Sequence, residues 1–394
     1  MATKLSGELT LLAVGDVFVD RSDPPSVFAK VASLLRQGDI VTGNLEGLNC
    51  DRGTPIEGKI EVGSRHLRSA PDNVRALVSA GFNAMALANN HNMDYGPDGL
   101  FQTIELLDQN NIVHAGGGRN LEDAHRPALI ERNGVKVAIL SYTSLFVSGF
   151  PAEENKAGLA TIKVSTSYQA PENIHYQPGY PPLMTTIPDP LDEERMVNDV
   201  QQAKQRADIV LVAFHWGVSY GHGKIVGYQK ELGRAAIDAG ADLIMGSHPH
   251  ALMAMEMYKG KLICYSMGNF VMDNMSRSHW GADTMILKCH IENKQIKRYS
   301  FIPARVSENW EPFVLDREYG AEALKNMASM STEFGTMFTM EDGEIGISGP
   351  KPGTPQAQRG LSIEPHRGLP VLVDALLPLQ YILKKVKAGV YDKK

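Results

Sequence analysis

Cysteine is scarce in this chain. Only Cys50, Cys264 and Cys289 occur in 394 residues. They are odd in number and widely spaced, and no two form a Cys-x-x-Cys pair. That argues against a disulfide framework and against a cysteine zinc site. Cys264 and Cys289 lie in apolar, strand-like runs and read as core residues. Charge of one sign is also lacking: the formal net charge is −6, with no long run of either sign. Binding along a phosphate backbone needs a basic surface, so nucleic acid is not the expected partner. No apolar stretch is long enough to cross a bilayer. The run over residues 9–14 is too short for the apolar part of a signal peptide. The expectation is a cytoplasmic protein with no membrane partner. Repeats and low-complexity tracts are absent too. What remains is 43% hydrophobic and 21% charged, as in ordinary globular proteins. The length suits one large domain or two ordinary ones.

What is present is a rhythm of strands and helices. Apolar runs of strand length at 9–14, 39–42, 82–88, 112–115, 209–214 and 241–245 alternate with helical apolar spacing at 25–37, 71–80, 97–111, 191–206 and 226–239. Pro71 and Pro97 open two of these helices, where a missing N–H costs nothing, and Gly81 closes one. Asn133-Gly134 joins two strand-like runs, a hairpin signal, because both residues tolerate positive φ. The pattern then changes. Strands at 252–258, 262–267, 284–292 and 295–302 follow one another without a helix between. The fold class is therefore α/β, with sheets packed between helices. The expected organisation is a domain over 1–315, followed by 316–394 packing on it. That second part comprises a helix, a Gly/Pro-rich wrapping segment over 332–370 and an apolar tail over 371–382. Residues 148–192 carry many prolines and tyrosines and read as an inserted, lid-like loop, since structureless connections of that length are uncommon.

Five short polar motifs follow the apolar runs. They are Gly15-Asp16, Asn44-Leu45-Glu46, Asn89-Asn90-His91, His215-Trp216-Gly217 and Gly246-Ser247-His248-Pro249-His250. Each has a plain structural reading of its own. A Gly-Asp is a turn, an Asn-His pair a helix cap, a His-Trp pair core aromatics. Together they present carboxylates, amides and imidazoles at successive strand ends, where loops of an open α/β sheet converge. Asp16 supplies a hard anionic oxygen and Glu46 a carboxylate able to bridge two cations. Asn90 offers an amide oxygen, and His215, His248 and His250 offer ring nitrogens. This mixed set suits Mn, Fe or Zn better than Ca or Mg. Two such ions about 3.5–4 Å apart can activate water and polarise a scissile bond.

The ordered set resembles the calcineurin-like metallophosphoesterase superfamily, and within it the branch named for CapA, a poly-γ-glutamate capsule protein. The resemblance is carried by Val14-Gly15-Asp16-Val17, Asn44-Leu45-Glu46, and Ala88-Asn89-Asn90-His91 with Asp94-Tyr95-Gly96. His215-Trp216-Gly217, Gly240-Ala241-Asp242 leading to His248-Pro249-His250, and Tyr265-Ser266-Met267-Gly268-Asn269-Phe270 complete it. It spans about residues 9–305. It implies a four-layer α/β/β/α sandwich binding one or two divalent ions. Asp16 and His250 would serve one metal, and Asn90, His215 and His248 the other. Glu46 would bridge, with Asn44 as the alternative. A metal-activated hydroxide would be the nucleophile. His91, oriented by Asp94, would be the catalytic proton donor rather than a ligand.

The chain departs from the pattern at Phe18, which stands where the superfamily has a histidine and cannot bind metal. This leaves the first site with Asp16, His250 and a bridge, and counts against direct transfer of phosphoesterase activity. Substrate selection falls to neighbouring loops. Arg65 and Arg68, with Lys59 and His66, could hold a carboxylate or phosphate. Tyr220 and His222 follow His215-Trp216-Gly217 closely and could line the rim. The expected activity is metal-dependent hydrolysis of an amide or acyl bond in a small carboxylated, γ-glutamyl or peptide-like substrate. A phosphoesterase and a non-catalytic poly-γ-glutamate assembly or binding protein are the alternatives.

Overall fold

Successive side chains of the strand Leu9–Phe18 enter two different cores, because strand side chains alternate between faces. Leu9, Leu11 and Ala13 join one apolar cluster, and Leu12 and Val14 another. The same division runs through the neighbouring strands: Ile40 against Val41, and Ala84 against Met85. These near-continuous apolar runs suit strands covered on both faces.

The computed structural model describes residues 7–170, 179–219, 224–274 and 282–350. They belong to one unit that ends at Thr354; the second, Pro355–Lys394, lies outside the described residues, as does the expected apolar tail. Two large sheets face each other. The first has ten strands, and its parallel core is Leu9–Phe18, Ile40–Leu45, Ala84–Ala86 and Val113–Ala115. Asp283–Glu292 and Gln295–Val306 extend it antiparallel on the other side of Leu9–Phe18. The second has six strands, centred on Val135–Thr143, Ile209–His215 and Leu243–Ser247. Between the sheets, Leu11 and Ala13 meet Ile139, Leu211 and Met245 in one core. Outside the first sheet, Val14 and Val41 pack with Phe28, Leu77 and Leu107. Outside the second, Val210 and Val212 pack with Met196, Val200, Leu232 and Ala236, from the helices Pro190–Arg206 and Gly227–Ala239. Helix, sheet, sheet and helix make four layers, the α/β/β/α sandwich that the resemblance implies. Among the described residues, no helix is long and apolar enough to cross a membrane.

Several elements differ from the sequence reading. The helix expected over 25–37 is a 3-10 turn, Pro24–Phe28, and a four-residue helix, Ala32–Leu35. Asp16 lies within its strand rather than after it, because Val17 and Phe18 continue it by pairing with Val271 and Met272. That partner strand, Asn269–Met272, is missing from the sequence reading. In the segment read as an inserted, lid-like loop, residues 148–163 contribute to the core: Phe150, Leu159, Ala160 and Ile162 are buried. Beyond them, Val164–Gln169 and Leu183–Pro188 pair as a hairpin. The segment expected to wrap the domain after Thr332 contains a second hairpin, Met337–Glu341 with Glu344–Ser348, which adds to the ten-stranded sheet. The Asn133-Gly134 hairpin is present, with both residues at positive φ.

Candidate metal centre

Three strands bring the first donors together. Asp16 comes from Leu9–Phe18, Glu46 from the residue after Ile40–Leu45, and His215 from the last position of Ile209–His215. A carboxylate oxygen of Asp16, one of Glu46 and a ring nitrogen of His215 lie within 4.8 Å of one another. All three side chains are buried. Close backbone contact makes this possible. Asp16 N–H donates to the Gly268 carbonyl at 3.0 Å, and a Cβ on Gly15 would lie 1.9 Å from that oxygen.

The other predicted residues surround this group. Asn90 Oδ1 faces His215 Nε2 at 2.6 Å. The His215 and His248 rings lie 4.9 Å apart, centroid to centroid. His250 Nδ1 is 3.5 Å from Asp16 Oδ2 and 2.8 Å from Asn269 Oδ1. His248 and His250 both have positive φ, 91° and 60°. That conformation costs about 1–3 kcal/mol for a residue with a side chain, and such strain concentrates at functional sites. His91 Nε2 lies 3.9 Å from Glu46 Oε1, and its Nδ1 lies 2.8 Å from Asp94 Oδ2. The sequence-predicted ligands and the His91–Asp94 pair therefore share one location.

Asn44 is a brace rather than an alternative bridge. Its Nδ2 donates to Asp16 Oδ1 at 2.8 Å and to Glu46 Oε2 at 2.5 Å. Its own Oδ1 accepts from Asn89 Nδ2 at 3.0 Å. The Asn89 Oδ1 accepts the backbone N–H of His91 and of Asn92, which fixes the turn carrying Asn90 and His91. This Asn89 role is not stated in the sequence reading. Its signal was available, since Asn readily hydrogen-bonds backbone two residues on.

Electrostatics fit a cation. Burial, reinforced by the charge of Asp16, pushes the Glu46 carboxyl well above the usual carboxylate range. Burial pushes His215 and His248 well below the ordinary imidazole range, with neighbouring rings adding to it. Glu46 Oε1 and His248 Nδ1 are buried without a hydrogen-bond partner among the described residues. An unpartnered buried carboxylate oxygen is costly, and a divalent ion satisfies it. Neutral imidazoles beside carboxylates are also the donor set such an ion takes. Phe18 supplies no donor; it is buried in the outer apolar cluster, its ring against Gly47.

Lys59 was grouped with the loop residues that could hold a carboxylate or phosphate. It lies instead on the short helix Glu57–Glu61, only 2% exposed, ion-paired with Asp94. Burial lowers its pKa, and Asp94 opposes that. Burial also brings His91 down to about 4. Arg65 and Arg68 are exposed, with the Arg68 guanidinium over the Tyr95 ring at 4.2 Å. Tyr220 and His222 lie outside the described residues.

The four-layer sandwich gathers carboxylates, amides and imidazoles at its strand ends, as the resemblance to the metallophosphoesterase superfamily implies. The chain belongs to the bacterial capsule synthesis protein PGA_cap family, whose model matches residues 10–274. It is 30% identical over 305 residues to the PGA biosynthesis protein CapA of Bacillus subtilis, covering 75% of this chain and 71% of that one. It is 28% identical over 351 residues to the capsule biosynthesis protein CapA of Bacillus anthracis, covering 86% and 77%. The purple acid phosphatase PPD1 of yellow lupin aligns over 85% of this chain and 57% of that one, with a TM-score of 0.35 and 11% identity, too remote a likeness to bear on chemistry.

Proposed function

We propose that this chain is a metal-dependent hydrolase acting on an amide or related acyl bond of a small carboxylated, γ-glutamyl-type substrate. One observation carries the reading. Glu46 Oε1 is buried beside Asp16 and His215 without a hydrogen-bond partner among the described residues, and His91 Nε2 lies 3.9 Å from it. One or two divalent ions of the Mn, Fe or Zn type, bound there, supply Lewis acidity toward the scissile carbonyl and toward water. Asp16, Glu46 and His215 hold the cation, with Asn90, His248 and His250 completing the donor set. His91, backed by Asp94, holds the proton that the leaving amine needs. Arg65 and Arg68 are assigned to the substrate's carboxylates, and Tyr220 and His222 to the rim.

The γ-glutamyl substrate class rests on the names of the Bacillus relatives, which are PGA and capsule biosynthesis proteins. Those names equally favour a second reading, a non-catalytic role in assembling the polymer. A phosphoesterase is less favoured, because Phe18 offers no donor where the superfamily has a histidine. The deciding experiment is a metal-reconstituted screen of γ-glutamyl amides against phosphomono- and phosphodiesters. The expected outcome is hydrolysis of an amide, lost with chelator and in His91→Ala while metal stays bound. Turnover of phosphoesters alone, or unchanged amide turnover in His91→Ala, would overturn the reading.

A further inference from the structure

Among the described residues, Lys59 is the only lysine or arginine that is buried. Burying an ammonium is costly unless every N–H is matched. Lys59 Nζ has three donors and no lone pair. Three acceptors surround it. It ion-pairs with Asp94 Oδ1, donates to the Arg65 carbonyl at 3.1 Å, and lies 2.8 Å from His91 Nδ1. At that last contact an ammonium can only donate, so Nδ1 must bring a lone pair.

Asp94 offers a competing arrangement, since its Oδ2 is also 2.8 Å from His91 Nδ1. A proton on Nδ1 would be donated to that oxygen. It would then confront a Lys59 N–H and leave the ammonium one acceptor short. Asp94 does not need the proton, because its Oδ2 already accepts the Leu67 N–H at 2.6 Å and its Oδ1 pairs with Lys59. Counting donors against acceptors selects one tautomer.

We infer that Lys59 is a positioning residue that sets the tautomer of His91: its ammonium donates to Nδ1, and the ring's proton is held on Nε2, the nitrogen facing Glu46. An aspartate alone behind the ring would place the proton on the opposite nitrogen. Lys59 thus presents the neutral ring to the site as a donor rather than an acceptor. Its catalytic consequence rests on the proposed hydrolysis; the tautomer itself does not.

The test is long-range proton–nitrogen correlation NMR on the full chain labelled in histidine, with His91 assigned by comparison with His91→Gln. The wild type should show a protonated Nε2 and a lone-pair Nδ1. In Lys59→Met the proton should move to Nδ1, while Lys59→Arg, which keeps a donor toward Nδ1, should retain the wild-type pattern. A wild-type ring protonated on Nδ1 would overturn the inference, and so would a Lys59→Met spectrum unchanged from wild type. Should Lys59→Met not fold, the wild-type spectrum and Lys59→Leu, which also removes the donor, decide by the same criterion. With a hydrolysable substrate, Lys59→Met should lose on the order of 10²-fold in turnover, more for poor leaving groups than for good ones. Failure to find any hydrolysis would touch the functional reading and leave the NMR result standing.

Discussion

Asn44 shows how one side chain can prepare a metal site. Its single amide nitrogen donates to both Asp16 and Glu46, holding two carboxylates that would otherwise repel each other. Groups that orient ligands from behind typically contribute 10–100-fold in metal affinity. Asn44→Ala should therefore weaken metal binding by about that factor in a calorimetric titration, with the fold intact by circular dichroism. Unchanged affinity would mean that the carboxylates are held by something else. At this scale the sequence was informative wherever a polar residue follows an apolar run. Asp16, Asn90, His215, His248 and His250 were all legible that way. The burial of Lys59 was not, because a lysine among charged and glycine residues reads as one of the loop's substrate-facing cations. Only the tertiary fold shows that the short helix turns its side chain inward, toward Asp94 and His91.

Elements position these residues through close strand approach. Gly15 and Gly246 sit where neighbouring backbones leave no room. A Cβ would lie 1.9 Å from the Gly268 carbonyl in the first case and 2.2 Å from the Tyr265 carbonyl in the second. Gly15→Ala should therefore force Leu9–Phe18 away from the Gly268 segment, destabilise the protein by about 1–3 kcal/mol as overpacking does, and displace Asp16. Denaturant unfolding and metal titration of the same variant would check both effects; a variant with wild-type stability would contradict the close approach. Helices with strong apolar periodicity were legible in the sequence, as at Pro190–Arg206 and Gly227–Ala239. Asn269–Met272 was not. It is four residues long, and its parallel partner, Leu9–Phe18, lies far away in the chain, so nothing local marks it as a strand of the other sheet.

The whole molecule joins its two sheets at one site. Asp16 and Glu46 come from the ten-stranded sheet and the loop that follows it, whereas His215 and Ser247 come from the six-stranded sheet. A cation held by both sheets should stabilise the fold as a unit, because it binds the folded chain only. At a free concentration one hundred times its dissociation constant, that linkage is worth about 2.7 kcal/mol. The melting temperature should accordingly rise by several degrees when Mn²⁺ is added to chelator-treated protein, and fall again with excess chelator. Sheets packed between helices were legible in the sequence from the alternation of strand and helix runs, and the four layers through the resemblance. The site's dependence on both sheets was legible only through the resemblance, since strand order decides it.

The most direct test of the account is elemental analysis of the purified, metal-reconstituted chain alongside Glu46→Ala and Asp16→Ala. The account predicts one to two equivalents of transition metal per wild-type chain and a marked loss in both variants. Wild-type protein that binds no metal, or variants that retain the wild-type amount, would contradict it.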